Sequence, residues 1–233
     1  MMKCLTLTCL AFVLTLPAFA ADEDNGFKAI FNGKNLDGWI GDGALWRVED
    51  GHIIGQTTED KPTGGNTFLI WEEGQPDDFE LRFRYRLESE WANSGVQVRS
   101  EHHGDYRVRG YQPDIASEDW ITGIHYEEGG RGILARRGEK AVFGADGSKQ
   151  VTRFAAEDDL SERINKDDWN EYHVIARGDT IITKINGVKM HEVVDTSPKA
   201  RRSGVIAFQL HQGPPMMIRI EDVKVKPLGR EAE

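Results

Sequence analysis

Cysteine is missing from everything after residue 9, since the chain's two cysteines are Cys4 and Cys9. Residues 21–233 therefore hold no disulfide, no thiol nucleophile and no thiolate metal site, and their stability must come from a packed core. Long apolar runs are missing as well. Leu5 to Leu16 is almost continuously apolar but too short to span a bilayer. With Lys3 before it and the small-x-small site Ala18-Phe19-Ala20 after it, this stretch reads as a signal peptide over residues 1–20. The expectation is export to the periplasm or the medium, with no membrane span in the mature chain. Cys9 follows Thr8 in the middle of the apolar run, which excludes a lipoprotein anchor.

Positive charge is outnumbered, with 29 Lys and Arg against 39 Asp and Glu. The formal net charge is −10, and loss of Lys3 with the leader takes it to −11. Such a surface disfavours nucleic acid and anionic membranes as partners. No H-E-x-x-H, G-x-S-x-G, Walker or Rossmann signature occurs, nor any internal repeat or linker. Residues 21–233 are expected to form a single domain.

What is present is period-two alternation. Phe79, Leu81, Phe83, Tyr85 and Leu87 share one face of a strand whose other face carries Glu80, Arg82, Arg84 and Arg86. Leu45 to Gln56 forms a hairpin about Asp50-Gly51, and Thr180 to Val194 another about Asn186-Gly187. Further strands are expected over 27–31, 66–71, 94–100, 106–115, 121–127, 133–143 and 169–176. Ala155 to Asn165 lacks alternation and is expected to be a loop with a helical turn. Gly204 to Leu228 closes the chain as two strands around a Gly213-Pro214-Pro215 corner. A dozen short strands with almost no helix imply an all-β sandwich or barrel.

Polar residues interrupt the core pattern in pairs. Gln97 with Arg99, Gln112 with Asp114, His125 with Glu127, and Gln209 with His211 are each spaced i, i+2, so each pair shares a strand face. On one sheet, beside Tyr111 and Trp120, they would suit a sugar: planar donors and acceptors for hydroxyls, aromatic faces for ring C–H groups. The competing reading is a solvated outer face, common in antiparallel sandwiches. His102 and His103 lie in a polar turn, and His52, His173 and His191 read as structural. Glu157 to Glu162 matches an E-x-D-x-x-E glycosidase pattern only formally, because no strand pattern holds its acids in register. Gly129-Gly130-Arg131-Gly132 reads as a turn.

An ordered series of motifs then covers the chain: F-K-A-I-F-N-G-K-N-L-D-G-W (27–39), N-S-G-V-Q-V-R (93–99), G-Y-Q-P-D-I (110–115), Y-E-E-G-G-R-G-I-L (126–134), D-W-N-E-Y (168–172), N-G-V (186–188) and Q-L-H-Q-G-P-P-M (209–216). The series resembles the 3-keto-disaccharide hydrolase domain family. That resemblance implies a concanavalin-like jelly-roll β-sandwich of two antiparallel sheets with a sugar site on the concave one. It also implies action on a glycoside or oligosaccharide whose glucose unit carries a C3 ketone. Many members have G-Y-E-x-Q where this chain has Gly110-Tyr111-Gln112-Pro113-Asp114, so carboxylate and amide are exchanged in order.

A C3 ketone acidifies the C2 proton, which allows β-elimination of the C1 substituent. The expected machinery is His211 or Asp114 as base or acid, with Arg99 or a divalent metal stabilising the enolate. Gln97, Gln112, Gln209, Tyr111, Trp120 and His125 are expected to bind the sugar. A two-carboxylate hydrolysis would instead use Asp114 and Glu127. Outside catalysis, the alternatives are a carbohydrate-binding module and a structural envelope protein.

Overall fold

A computed structural model describes residues 25–229; the expected signal peptide lies outside them. The strands begin with β1 (Lys28–Ala29), β2 (Trp39–Ile40), β3 (Trp46–Glu49), β4 (His52–Gln56), β5 (Thr67–Trp71) and β6 (Phe79–Leu87). Next come β7 (Asn93–His102), β8 (Val108–Ala116), β9 (His125–Glu128), β10 (Gly132–Ala135), β11 (Glu139–Phe143) and β12 (Lys149–Arg153). After helix α1 (Glu157–Ser161) follow β13 (Asn170–Arg177), β14 (Thr180–Ile185), β15 (Val188–Asp195), β16 (Val205–Leu210) and β17 (Met217–Pro227).

They build a jelly-roll sandwich. One sheet runs β12-β11-β15-β14-β13-β6-β17-β4-β3, with β1 on β17; the other runs β10-β9-β8-β7-β16-β5-β2. The ladders are antiparallel except β11 against β15, which is parallel. The alternation in β6 is realised as expected: Phe79, Leu81, Phe83 and Tyr85 are buried, and the register sets Tyr172 against Phe83 and Val174 against Leu81. Phe83 stacks on Tyr172 at 5.1 Å and meets Phe208 of the other sheet edge-on at 5.0 Å. Side chains of this size each stabilise the fold by about 1.5–3 kcal/mol when fully buried.

Two local expectations are corrected. Strand β9 is short, and most of 121–127 belongs to a loop of turns before it. The stretch 133–143 is two strands, β10 and β11, which lie in different sheets. The helical turn expected within 155–165 is present as α1, and the acids there are not on a strand.

The hairpin β7–β8 shapes the site. Ile206, Phe208 and Leu210 of β16 enter the main core, whereas Val205 and Ala207 cluster with Phe68, Ile70 and Val108 on the opposite, outer face. Val108 arrives there because the hairpin tip curls over that face: Phe68 donates its N–H to the Tyr106 carbonyl at 2.9 Å. The curl starts around Ser100, where a Cβ on Gly110 or Gly204, both at φ near 150° (145° and 149°), would collide with Ser100. The curled tip packs against this outer patch, and a cleft lined by Asn66 and Gln209 lies beside it.

Candidate functional site

Register decides which polar pairs meet. Across β8 and β9, Gln112 lies opposite Tyr126, Tyr111 opposite Glu127, and Pro113 opposite His125. Opposed residues share a face. Gln112, Asp114, Tyr126 and Glu128 therefore point to the concave outer face, while Tyr111, His125 and Glu127 point between the sheets. A cleft of about 240 Å³ opens on the concave face, lined by Gln112, Asp114, Tyr126 and Glu128 together with Asn66, Asn93, Trp120, Gln209 and His211.

Its floor is a hydrogen-bonded relay. Gln97 Nε2 donates to Gln112 Oε1 at 2.6 Å, and Gln112 Nε2 donates to Asp114 Oδ1 at 2.7 Å. Burial holds the Asp114 carboxyl well above the usual carboxylate range; the Gln112 bond opposes the rise and the Glu128 charge adds to it. Because Oδ1 accepts from Gln112, Oδ2 is the oxygen left to carry a proton. The same surroundings raise Tyr126, through burial and then the charges of Glu128 and Asp114.

Gly95 makes room beside this acid. It pairs with Asp114, and extending the β7–β16 register from Ala207 opposite Gln97 sets Gln209 on its other side. A Cβ on Gly95 would stand 2.7 Å from Gln112 Cγ and 2.9 Å from Asp114 Oδ1. The missing side chain is what lets Gln112 and Asp114 lie close over the strand that separates them from Gln209. Gln209 is fully buried, yet neither its Oε1 nor its Nε2 has a hydrogen-bond partner. An unpaired buried polar group costs about 1–3 kcal/mol, so such an amide points to a bound molecule or water. His211 follows directly, its N–H donating to the Asn93 carbonyl at 3.2 Å and its half-buried ring lining the cleft. Trp120 is 48% exposed at the rim, and Asn66 Nδ2 donates to Glu128 Oε1 at 3.2 Å across the cleft.

Gln112, Asp114, Trp120, Gln209 and His211 thus converge, with Gln97 beneath them. Four expected site residues do not. Arg99 has φ of 50° at a register slip between Val98 and Glu101, and this bulge turns its side chain away from Gln97. Its guanidinium, 1% exposed, donates to the Asp77 and Gly178 carbonyls, both at 2.7 Å, and to Asp78 Oδ1 at 2.9 Å. It ties the two sheets together and cannot serve an enolate on the concave face. Tyr111 donates its hydroxyl to Asp195 Oδ2 at 2.5 Å inside the sandwich, and burial pushes it up to about 12.

His125 is buried there too, its Nδ1 3.0 Å from His191 Nε2, while His191 Nδ1 lies 2.9 Å from the Gly123 carbonyl. That carbonyl makes His191 Nδ1 a donor, so His191 Nε2 accepts from His125 Nδ1–H. Burial lowers both histidines, His191 to about 4. Glu127 accepts from Arg131 Nε at 2.5 Å, and Arg131 also binds Asp195 at 2.6 Å. Asp114 and Glu127 lie on opposite faces of the sheet, which removes them as a hydrolytic pair.

The cleft carboxylate on β9 is Glu128, which was not anticipated; nor were Tyr126, Asn66 and Asn93. The register of β9 against Gln112 was the signal for the first two. The histidines read as structural have structural partners: His52 stacks on Trp169, and His173 binds Glu80. Among the described residues, no three His, Cys, Asp or Glu side chains are grouped to hold a metal ion, and no helix is long and apolar enough to cross a membrane.

Against known families, the model described as "3-keto-alpha-glucoside-1,2-lyase-like domain" matches residues 26–226. The chain belongs to this family. In fold, the family member is similar to a protein from Parabacteroides distasonis provisionally assigned as a glycosyl hydrolase, at 20% identity and a TM-score of 0.59, covering 88% of this chain and 95% of the other. It is also similar to the carbohydrate-binding module CBM66 from Bacillus subtilis, at 12% identity and a TM-score of 0.56, covering 81% and 95%. Comparison with curated proteins returns no match.

Proposed function

We propose that this protein cleaves 3-keto-glycosides by elimination and hydration in the concave cleft. The observation that carries the reading is one cleft holding a buried acid, Asp114, a half-buried imidazole, His211, and an unpartnered amide, Gln209. In the first step His211 removes the C2 proton, and the electron pair moves onto the C3 ketone oxygen as an enolate. Gln209 Nε2, and not the inward-turned Arg99, donates a hydrogen bond to that oxygen. The enolate then re-forms the ketone, a C1–C2 double bond forms, and the C1–O bond breaks. Asp114 Oδ2–H supplies the proton to the departing oxygen.

Hydration reverses the roles. Asp114, now a carboxylate, takes a proton from the water that adds at C1, and protonated His211 returns its proton to C2. The sum is a 3-keto-glycoside plus water giving a 3-keto sugar plus an alcohol, with both residues restored.

The test is release of 3-keto-glucose from a 3-keto-α-glucoside by the purified protein, beside H211A. Turnover by the wild type, lost by a factor of about 10²–10⁴ in H211A, supports the reading; unchanged turnover in H211A removes His211 from it. The exposed Trp120 favours a second reading, a binding module, which would give saccharide affinity with no turnover.

A further inference from the structure

Beyond His211 the cleft does not end. A second depression, of about 180 Å³, lies on the far side of this histidine and is lined by Trp91, Asn93, Glu118, Gln212 and Pro214, among others. It shares Asn93 and His211 with the first cleft. Neither depression alone reaches the ~300 Å³ typical of small-molecule sites, whereas joined they pass it. His211 stands at the junction.

The wall of this depression is built, not loose. Trp91 is 57% exposed, the largest exposure among the exposed large hydrophobic side chains of the described residues. The loop that carries it is stitched to both neighbouring loops through Ser89. The Ser89 carbonyl accepts from Ser117 Oγ at 2.7 Å, Ser89 Oγ accepts from the Met217 N–H at 2.8 Å, and Ser117 N–H donates to the Ala92 carbonyl at 2.8 Å. An aromatic plane held out to water on a fixed loop, opposite a proline and beside a carboxylate, suits a pyranose: C–H groups on the indole, hydroxyls on Glu118.

We infer that Trp91 forms a second sugar subsite, which holds the leaving-group sugar of a disaccharide while the keto sugar occupies the first cleft, beside Asp114 and Gln209. This rests on the proposed cleavage reading and deepens it: the bond to be broken lies beside His211, and Trp91 is the residue that favours a sugar over a small alcohol as the leaving group. Trp91 is here a specificity-determining residue that touches only the leaving group.

The experiment compares KM and kcat for a 3-keto-disaccharide and for methyl 3-keto-α-glucoside in the wild type, W91A and W91F. Calorimetric titration of D114N with both compounds reads binding without turnover. The expected result is a KM for the disaccharide raised about tenfold in W91A and largely rescued in W91F, with the methyl glycoside unaffected by either change. Because Trp91 is mostly exposed, circular dichroism should show the variants folded. Equal disaccharide KM in wild type and W91A overturns the subsite and leaves the cleavage reading standing. Absence of binding and turnover for both compounds overturns the cleavage reading and the subsite with it.

Discussion

Asp114→Asn should abolish most activity and at the same time stabilise the protein, increasingly so as pH rises. The amide keeps an oxygen for the Gln112 Nε2 bond at 2.7 Å and fills the same volume, but offers no proton to a leaving oxygen. The expected loss in kcat is about 10²–10⁴-fold, the ordinary contribution of a general acid. The stability effect follows from burial, which raises the carboxyl in the folded state. The folded protein then binds more protons than the unfolded chain between the unfolded value, about 3.9, and the higher folded one. Wild-type stability therefore falls as pH rises through that window, by about 1.4 kcal/mol for each unit separating the two values. D114N has no such titration. Urea unfolding of both proteins from pH 4 to pH 8 measures the difference, which should be small at pH 4 and grow in favour of D114N. A pH-independent difference would show that Asp114 is ionised in the fold, and the acid role would fall with it.

Two further perturbations test the assignment of faces. Glu127→Ala should cost about 3 kcal/mol in urea unfolding, because it removes a carboxylate from the buried Arg131 cluster, yet leave KM unchanged. Glu128→Gln, on the cleft side, should barely change stability but move the alkaline limb of the pH–rate profile to lower pH, since the Glu128 charge helps to raise Asp114; an unmoved limb counts against the pair. The inter-sheet histidines should make the fold acid-sensitive. Burial lowers both, His191 to about 4, so the unfolded chain binds more protons and stability drops as pH falls from about 6.5 through the folded values. His191→Gln should reduce that slope by up to about 1.4 kcal/mol per pH unit, and an unchanged slope would place the acid sensitivity elsewhere.

The sandwich was legible because apolar alternation carries it. β6 shows five apolar residues in strict period two, and no neighbour was needed to tell its inner face. The end of β16 was legible for the same reason: Ile206, Phe208 and Leu210 claim the core, so Gln209 and His211 must face out, and both line the cleft. Asp114 was legible through Ile115, a core residue that fixes the parity of β8.

β9 had no such reference. Its four residues, His-Tyr-Glu-Glu, place a polar residue on either face, and choosing the more polar row as the functional one selected His125 and Glu127. That choice assumes an apolar interior. Here the interior at this edge is itself polar, a network of Tyr111, Asp195, Arg131, Glu127 and two histidines, and it absorbs the row that looked like a site. Arg99 failed for a different reason. Alternation counts residues, and the bulge at φ 50° breaks the count after Val98. The glycines that permit this lie elsewhere in the chain, Gly110 on β8 and Gly204 just before β16, where each leaves space for Ser100. A polar strand face can therefore be assigned only through the register of a neighbour whose own face the core has already settled. For β9 that neighbour is β8, and pairing Gln112 with Tyr126 brings Glu128 into the cleft and takes Glu127 out of it.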